Sequence, residues 1–285
     1  MAEILANALR FHVQRLPAAD APATGVALPD GPPEGRDTPV VFLHGLVVDN
    51  LSSFYCPLGV PLARAGHEVV LYDLRGHGLS ERPPAGYDSG SAVRDLVAVL
   101  RALGLDGRPV HLVGNSYGGT LALHAALARP DLVAGLTLLE PPLSGPWVAN
   151  MVDTLSVAAL SLEDSLVPAE LSSLRLRKAA KLTVIADALL NHTTLIDDIA
   201  AGRTFTPADY AGLDCPVLVV CGEHSELVPG ALELAGHAPR CTLRILPGLG
   251  HDVLKETDGV LREAVLAHAA AVRRAARTRT GALTA

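Results

Sequence analysis

The sequence predicts an α/β chain, a doubly wound and mostly parallel sheet interrupted by one helical insertion. Three observations carry this reading. Short apolar runs closed by glycine alternate with helical periodicity through residue 140 and again after residue 213. His44-Gly45, Asp73, Ser116 and Glu140 fall at the C-terminal ends of such runs, where open parallel sheets hold their ligands. Between them, residues 141–213 carry helical spacing without a convincing strand.

Taken in order, Leu9 to Leu16 alternates apolar and polar residues, as an edge strand does. Residues 17–39 are rich in Pro, Ala, Gly and Asp and read as a hairpin excursion with a poorly ordered tip and a strand near Thr24–Leu28. Val40 to Leu43, closed by His44-Gly45, is a central parallel strand. A helix through Leu58–Gly66 leads to a strand at Glu68–Tyr72, which ends in Asp73-Leu74-Arg75-Gly76-His77-Gly78-Leu79-Ser80. Val93 to Leu103 is helical by spacing. The apolar run from Val110 ends at Gly114, and a helix then extends to about Arg129-Pro130. Gly135 to Leu139 is a strand closed by Glu140-Pro141-Pro142.

In the insertion, helical periodicity covers Trp147–Leu160, Pro168–Leu190 and Thr193–Ile199. The sheet resumes at Pro216–Gly222 and Thr242–Leu246, and an amphipathic helix from about Gly259 to Arg274 closes the fold, leaving a frayed tail from Arg277. The expected division is a core of 1–140 with 214–285 and a helical cap of 141–213 over the strand ends. The cap's apolar residues (Met151, Val152, Leu155, Val157, Leu160, Leu171, Leu174, Leu189, Leu190) mainly pack it onto the body; the remainder line an apolar pocket.

Composition narrows the function. The formal charge of -7 offers no basic surface for nucleic acid. With 49% hydrophobic residues and a mean hydropathy of +0.31, the chain can bury a large core. No apolar run approaches the ~20 residues of a membrane span. Met1-Ala2-Glu3-Ile4-Leu5 lacks the basic-then-apolar start of a signal peptide. Cys56, Cys215, Cys221 and Cys241 follow no metal-ligand spacing, and Cys215 and Cys221 flank an apolar run where a thiol acts as a small hydrophobe. A reduced, cytoplasmic protein is expected, a monomer or homodimer, with a small apolar molecule as partner and neither nucleic acid nor membrane.

Gly114-Asn115-Ser116-Tyr117-Gly118 fits G-x-S-x-G in a strand–turn–helix context. A serine on so sharp a turn has a strained backbone, and glycines on both sides remove Cβ atoms that would collide. The following helix aims its N-terminal N–H groups where an oxyanion would form.

Together with His44-Gly45, the Asp73–Ser80 segment and Gly250-His251, this order of motifs resembles the α/β-hydrolase-fold family from about Leu9 to Arg274, the insertion being the variable part. The resemblance implies Ser116 as nucleophile, His251 as general base and an orienting carboxylate. It implies an oxyanion hole from the N–H groups of Tyr117 and Leu46, with Val47 the alternative to Leu46. His44, His77 and His111 read as structural. The family usually has an aspartate three residues after the glycine closing the penultimate strand; counted from Gly222, that position is Ser225. Some branches, among them lactone hydrolases similar to zearalenone hydrolase, take the acid from the strand end where Glu140 stands. Glu140 is therefore the leading acid, Glu226 the alternative and Glu223 a weaker third.

The expected activity is cleavage of an ester, lactone or thioester of an apolar substrate by Ser116, His251 and Glu140, with no metal or organic cofactor implied. The alternative is a non-hydrolytic elimination, cyclisation or acyl transfer in secondary metabolism on the same Ser–His pair. A third reading is a non-catalytic ligand-binding protein. Epoxide hydrolase and dehalogenase chemistry on this fold needs an aspartate where Ser116 stands.

Overall fold

The computed structural model describes residues 2–19, 38–163, 174–256 and 259–283. The strand expected near Thr24–Leu28 and residues 168–173 of the expected second insertion helix lie outside them. Eight strands, β1 (Ala2–Ala6), β2 (Leu9–Leu16), β3 (Val40–Leu43), β4 (Val69–Tyr72), β5 (Val110–Asn115), β6 (Val133–Leu139), β7 (Val217–Gly222) and β8 (Cys241–Leu246), form one sheet in the order β1-β2-β4-β3-β5-β6-β7-β8. The β1–β2 and β2–β4 pairs are antiparallel and the remaining pairs parallel. Because the chain runs from β3 to β4 on one side and then to β5 on the other, the strand order reverses at β3. Connections leave in opposite directions there and open a crevice at the C-terminal ends of β3 and β5.

The two faces of the sheet are read directly from alternation. Val40 and Phe42 of β3 point to one side, Val41 and Leu43 to the other, as a period of two demands. On the first side lie α1 (Ser52–Phe54), a π-helical turn at Tyr55–Gly59, α2 (Val60–Arg64), α10 (Val253–Glu256) and α11 (Val260–Leu283). The π turn follows from Pro57 and Pro61, which lack the N–H groups that a regular ladder would use. On the second side are α3 (Ser89–Ala102), whose N-terminus is capped by Asp88 accepting the Ser91 N–H at 2.9 Å, α4 (Tyr117–Ala128) and α9 (Val228–His237). Helix α4 is apolar around its whole circumference because it is buried nearly all round.

Between β6 and β7 come α5 (Gly145–Glu163), α6 (Leu174–Leu190), α7 (Leu195–Ala200) and α8 (Pro207–Ala211). Helix α5 packs on α6 and α7, whereas α8 packs on α9 of the sheet layer. A Thr206–Asp209 capping box with Pro207 in the first turn starts α8.

The structure corrects several expectations. The edge strand is β1, and Leu9–Leu16 is the second strand in. The two join through Asn7 and Ala8, both with positive φ (47° and 61°), in a tight hairpin turn without the glycine that advertises one. Helices α8 and α9 were not expected, and α11 continues to Leu283 instead of fraying from Arg277.

Candidate active site

Ser116 sits between β5 and α4 with φ 50° and ψ −125°, a conformation costly for a residue with a Cβ. Its surroundings enforce it. The Ser116 N–H donates to Leu139 O at 2.8 Å, and the Gly119 N–H donates to Ser116 O at 2.8 Å. A Cβ on Gly118 would stand 2.0 Å from Leu43 O, and one on Gly114 would stand 2.3 Å from Gly118 O. The glycines let β3, β5 and α4 converge under the serine, as the motif predicts.

The loop after β3 supplies the second wall. Leu46 and Tyr117 each present an N–H without a hydrogen-bond partner among the described residues. Val47, the alternative to Leu46, donates its N–H to His77 Nε2 at 2.9 Å and holds φ 64°, an outlier for a β-branched residue. His77 Nδ1 lies 2.8 Å from Arg75 O, so the proton is on Nδ1 and Nε2 is the acceptor. His44 repeats the pattern: Nδ1 donates to Gly45 O at 2.7 Å and Nε2 accepts the Leu74 N–H at 2.9 Å. Burial pushes both imidazoles to lower pKa, His77 to about 3 with His44 adding to the shift. Both are neutral scaffolding. Asp49 Oδ2 accepts the Gly45 N–H at 2.7 Å, and Asp73 accepts the N–H groups of Leu51 (2.8 Å) and Leu79 (2.9 Å) and faces His12 Nδ1 at 2.8 Å.

Glu140 follows β6 with φ 50°, a further strained residue one strand from Ser116. Its side chain is fully buried. Oε1 accepts the Gly222 N–H at 2.5 Å; Oε2 accepts the Ser225 hydroxyl and faces His251 Nδ1 at 3.3 Å. Leaving a buried carboxylate unpaired would cost several kcal/mol, and these donors offset that. Burial, with Glu140 alongside, pushes the Cys221 thiol up to about 12, so it stays neutral.

His251 rides on the turn after β8. Gly222 lets that turn come close: a Cβ there would lie 2.2 Å from Gly250 O and 2.4 Å from Leu249 O. The His224 N–H bonds Leu249 O at 2.8 Å, and Glu223 accepts the Gly248 N–H at 2.9 Å. Glu223 thus binds the histidine's loop and not the imidazole. Glu226 is exposed and accepts the Trp147 indole N–H at 3.1 Å, while the indole stacks on His251 with centroids 6.5 Å apart and planes at 29°. Among the described residues no hydrogen bond joins Ser116 Oγ to His251 Nε2, and catalytic hydrogen bonds commonly tighten only once substrate is bound.

The profile of the alpha/beta hydrolase family matches residues 40–264. This chain belongs to that family. It is 30% identical to a 2-hydroxymuconate semialdehyde hydrolase of Pseudomonas putida over 241 residues, 76% of this chain and 82% of that protein. It is 28% identical to a non-heme chloroperoxidase of Streptomyces lividans over 269 residues, 83% of this chain and 92% of the other. Among solved structures, a proline iminopeptidase of Mycobacterium smegmatis matches with a TM-score of 0.69 at 19% identity, covering 96% of this chain and 99% of that one, a likeness of fold.

The site of this α/β hydrolase also uses residues that the sequence reading passed over. Trp147, on α5 against His251, and Asp49 on Gly45 carry no spacing signal, while His77, read as structural from the Asp73–Ser80 segment, adds its bond to Val47. A small cavity beside the oxyanion loop is walled by Leu46, Leu74, Tyr87, Tyr117, Leu121 and Leu195, with room for roughly one water-sized group. Among the described residues no cluster of His, Cys, Asp and Glu could hold a metal ion, and no helix is long and apolar enough to cross a membrane.

Proposed function

We propose that this α/β hydrolase cleaves an ester, lactone or thioester carrying an apolar group, with Ser116 as nucleophile, His251 as general base and Glu140 as its orienting acid. One observation carries the reading: Glu140, fully buried and strained, has Oε2 3.3 Å from His251 Nδ1. A proton held on Nδ1 by that carboxylate leaves Nε2 as the base. In the reaction, Ser116 Oγ attacks the carbonyl carbon as its proton passes to His251 Nε2. The oxyanion is held by the N–H groups of Leu46 and Tyr117, and the leaving oxygen or sulfur takes the proton from His251. Water, deprotonated by His251, then releases the acid and restores Ser116. Each oxyanion donor is worth about 10²–10³ in rate.

Residues 141–213 act in this reading as a cap over the site. The Trp147 stack on His251, Leu195 in the cavity wall and the Tyr87 N–H donating to Asp198 at 2.7 Å support it. The small cavity, lined mostly by leucine and tyrosine with Arg75, His77 and Asp95 among its other residues, suits at most a methyl-sized apolar group.

Intact-protein mass after exposure to a fluorophosphonate tests the reading. A single adduct is expected on wild type, none on Ser116→Ala, and labelling about 10³–10⁴ slower on Glu140→Ala. A wild type that stays unlabelled by a reagent small enough to reach Ser116 would overturn the acyl-enzyme route in favour of elimination or cyclisation.

A further inference from the structure

Ser225 stands in the turn after β7, 7% exposed. Its Oγ accepts the Leu227 N–H at 3.2 Å, so an acceptor site is taken and its one proton is directed to Glu140 Oε2. The same Oε2 faces His251 Nδ1, while Oε1 is tied to Gly222. The last torsion of a glutamate is broad and roughly two-fold, so a carboxylate held at one oxygen alone can swing. With Gly222 on one oxygen and Ser225 on the other, its plane is fixed before His251 arrives. The backbone brings the two residues together: β6 and β7 are parallel neighbours, and the Glu140 N–H donates to Val220 O at 2.9 Å.

We propose that Ser225 is a positioning residue whose hydroxyl fixes the Glu140 carboxylate toward His251. The inference rests on Glu140 being the acid of the reaction.

The test measures fluorophosphonate labelling rates and p-nitrophenyl acetate turnover on wild type, Glu140→Ala, Ser225→Ala and Ser225→Thr. Ser225→Ala is expected to lower the labelling rate and kcat about tenfold with KM unchanged, the size of one lost hydrogen bond to a charge. Ser225→Thr, which keeps the hydroxyl, should stay within about threefold of wild type, a rescue that lost packing would not give. Wild-type rates in Ser225→Ala would overturn the positioning role. Wild-type labelling in Glu140→Ala would instead overturn the assignment of the acid, and this inference with it.

Discussion

Gly222 joins the two halves of the proposed charge relay. Its N–H holds Glu140 Oε1, and its missing Cβ admits the Gly250 carbonyl just before His251. Gly222→Ala would push a methyl group against two carbonyl oxygens, and the loop after β8 must retreat. The elbow around Ser116 is untouched, so KM for an ester should hold while kcat falls about 10²-fold. A kcat unchanged by Gly222→Ala would mean that the close approach has no bearing on His251. At this scale the sequence was uneven in what it disclosed. Ser116 was legible because strain and close packing demand particular neighbours, and those neighbours are glycines. Glu140 was legible as a candidate through the frame after Gly222, where a serine replaces the family's usual aspartate. The hydroxyl contact between Ser225 and Glu140 was not, since it joins residues 85 apart through side-chain torsions that leave no pattern in the chain.

The loop from His44 to Ser53 works as one element, with backbone amides pinned by buried side chains from elsewhere. His77 is the pin that holds Val47 at positive φ, next to the Leu46 N–H, which has no partner among the described residues. His77→Phe keeps the ring volume but leaves the Val47 N–H and the Arg75 carbonyl without their partners. A loss of about 2–4 kcal/mol in unfolding free energy is expected, measured by urea denaturation. In the folded fraction, kcat should fall about tenfold with KM steady as the Leu46 amide drifts. If KM rises and kcat holds, the loop binds substrate without serving the transition state. The core elements were legible for a different reason from this loop. Strands β3, β4 and β7 are covered on both faces and read as unbroken apolar runs, and β6 is interrupted by the buried polar Thr137. The β1–β2 hairpin escaped notice because Asn7-Ala8 makes a turn that Asn-Gly would have announced. Helix α8 is too short for periodicity to register.

Across the whole molecule, three fully buried imidazoles, His44, His77 and His111, tie stability to pH. Burial lowers the pKa of each; for His111, whose Nε2 meets Thr137 Oγ1 at 2.9 Å, the nearby His268 and His67 add to the shift. In the unfolded chain these rings take up protons near the ordinary 6.5, whereas in the folded chain His44 is lowered, His111 is lowered well below that value and His77 is lowered to about 3. The unfolded state therefore binds more protons throughout that window, and unfolding free energy falls as pH drops below about 6.5. Each ring contributes at most about 1.4 kcal/mol per pH unit, so the three together reach about 4 kcal/mol per unit while all stay neutral in the folded state. His124 and His268, also lowered chiefly by burial, steepen the slope further. Asp88, Asp131 and Asp209, whose pKa values are lowered, add their loss only below the ordinary carboxylate range and leave this window untouched. Urea midpoints should accordingly drop steeply between pH 7 and pH 5.5. His111→Phe, which keeps a ring in the β5–α11 packing but removes one titrating group, should flatten the dependence by about one proton. Equal midpoints at the two pH values would mean that the buried imidazoles are already protonated in the folded protein, and the neutral scaffolding drawn for His44 and His77 around the oxyanion loop would fall with them.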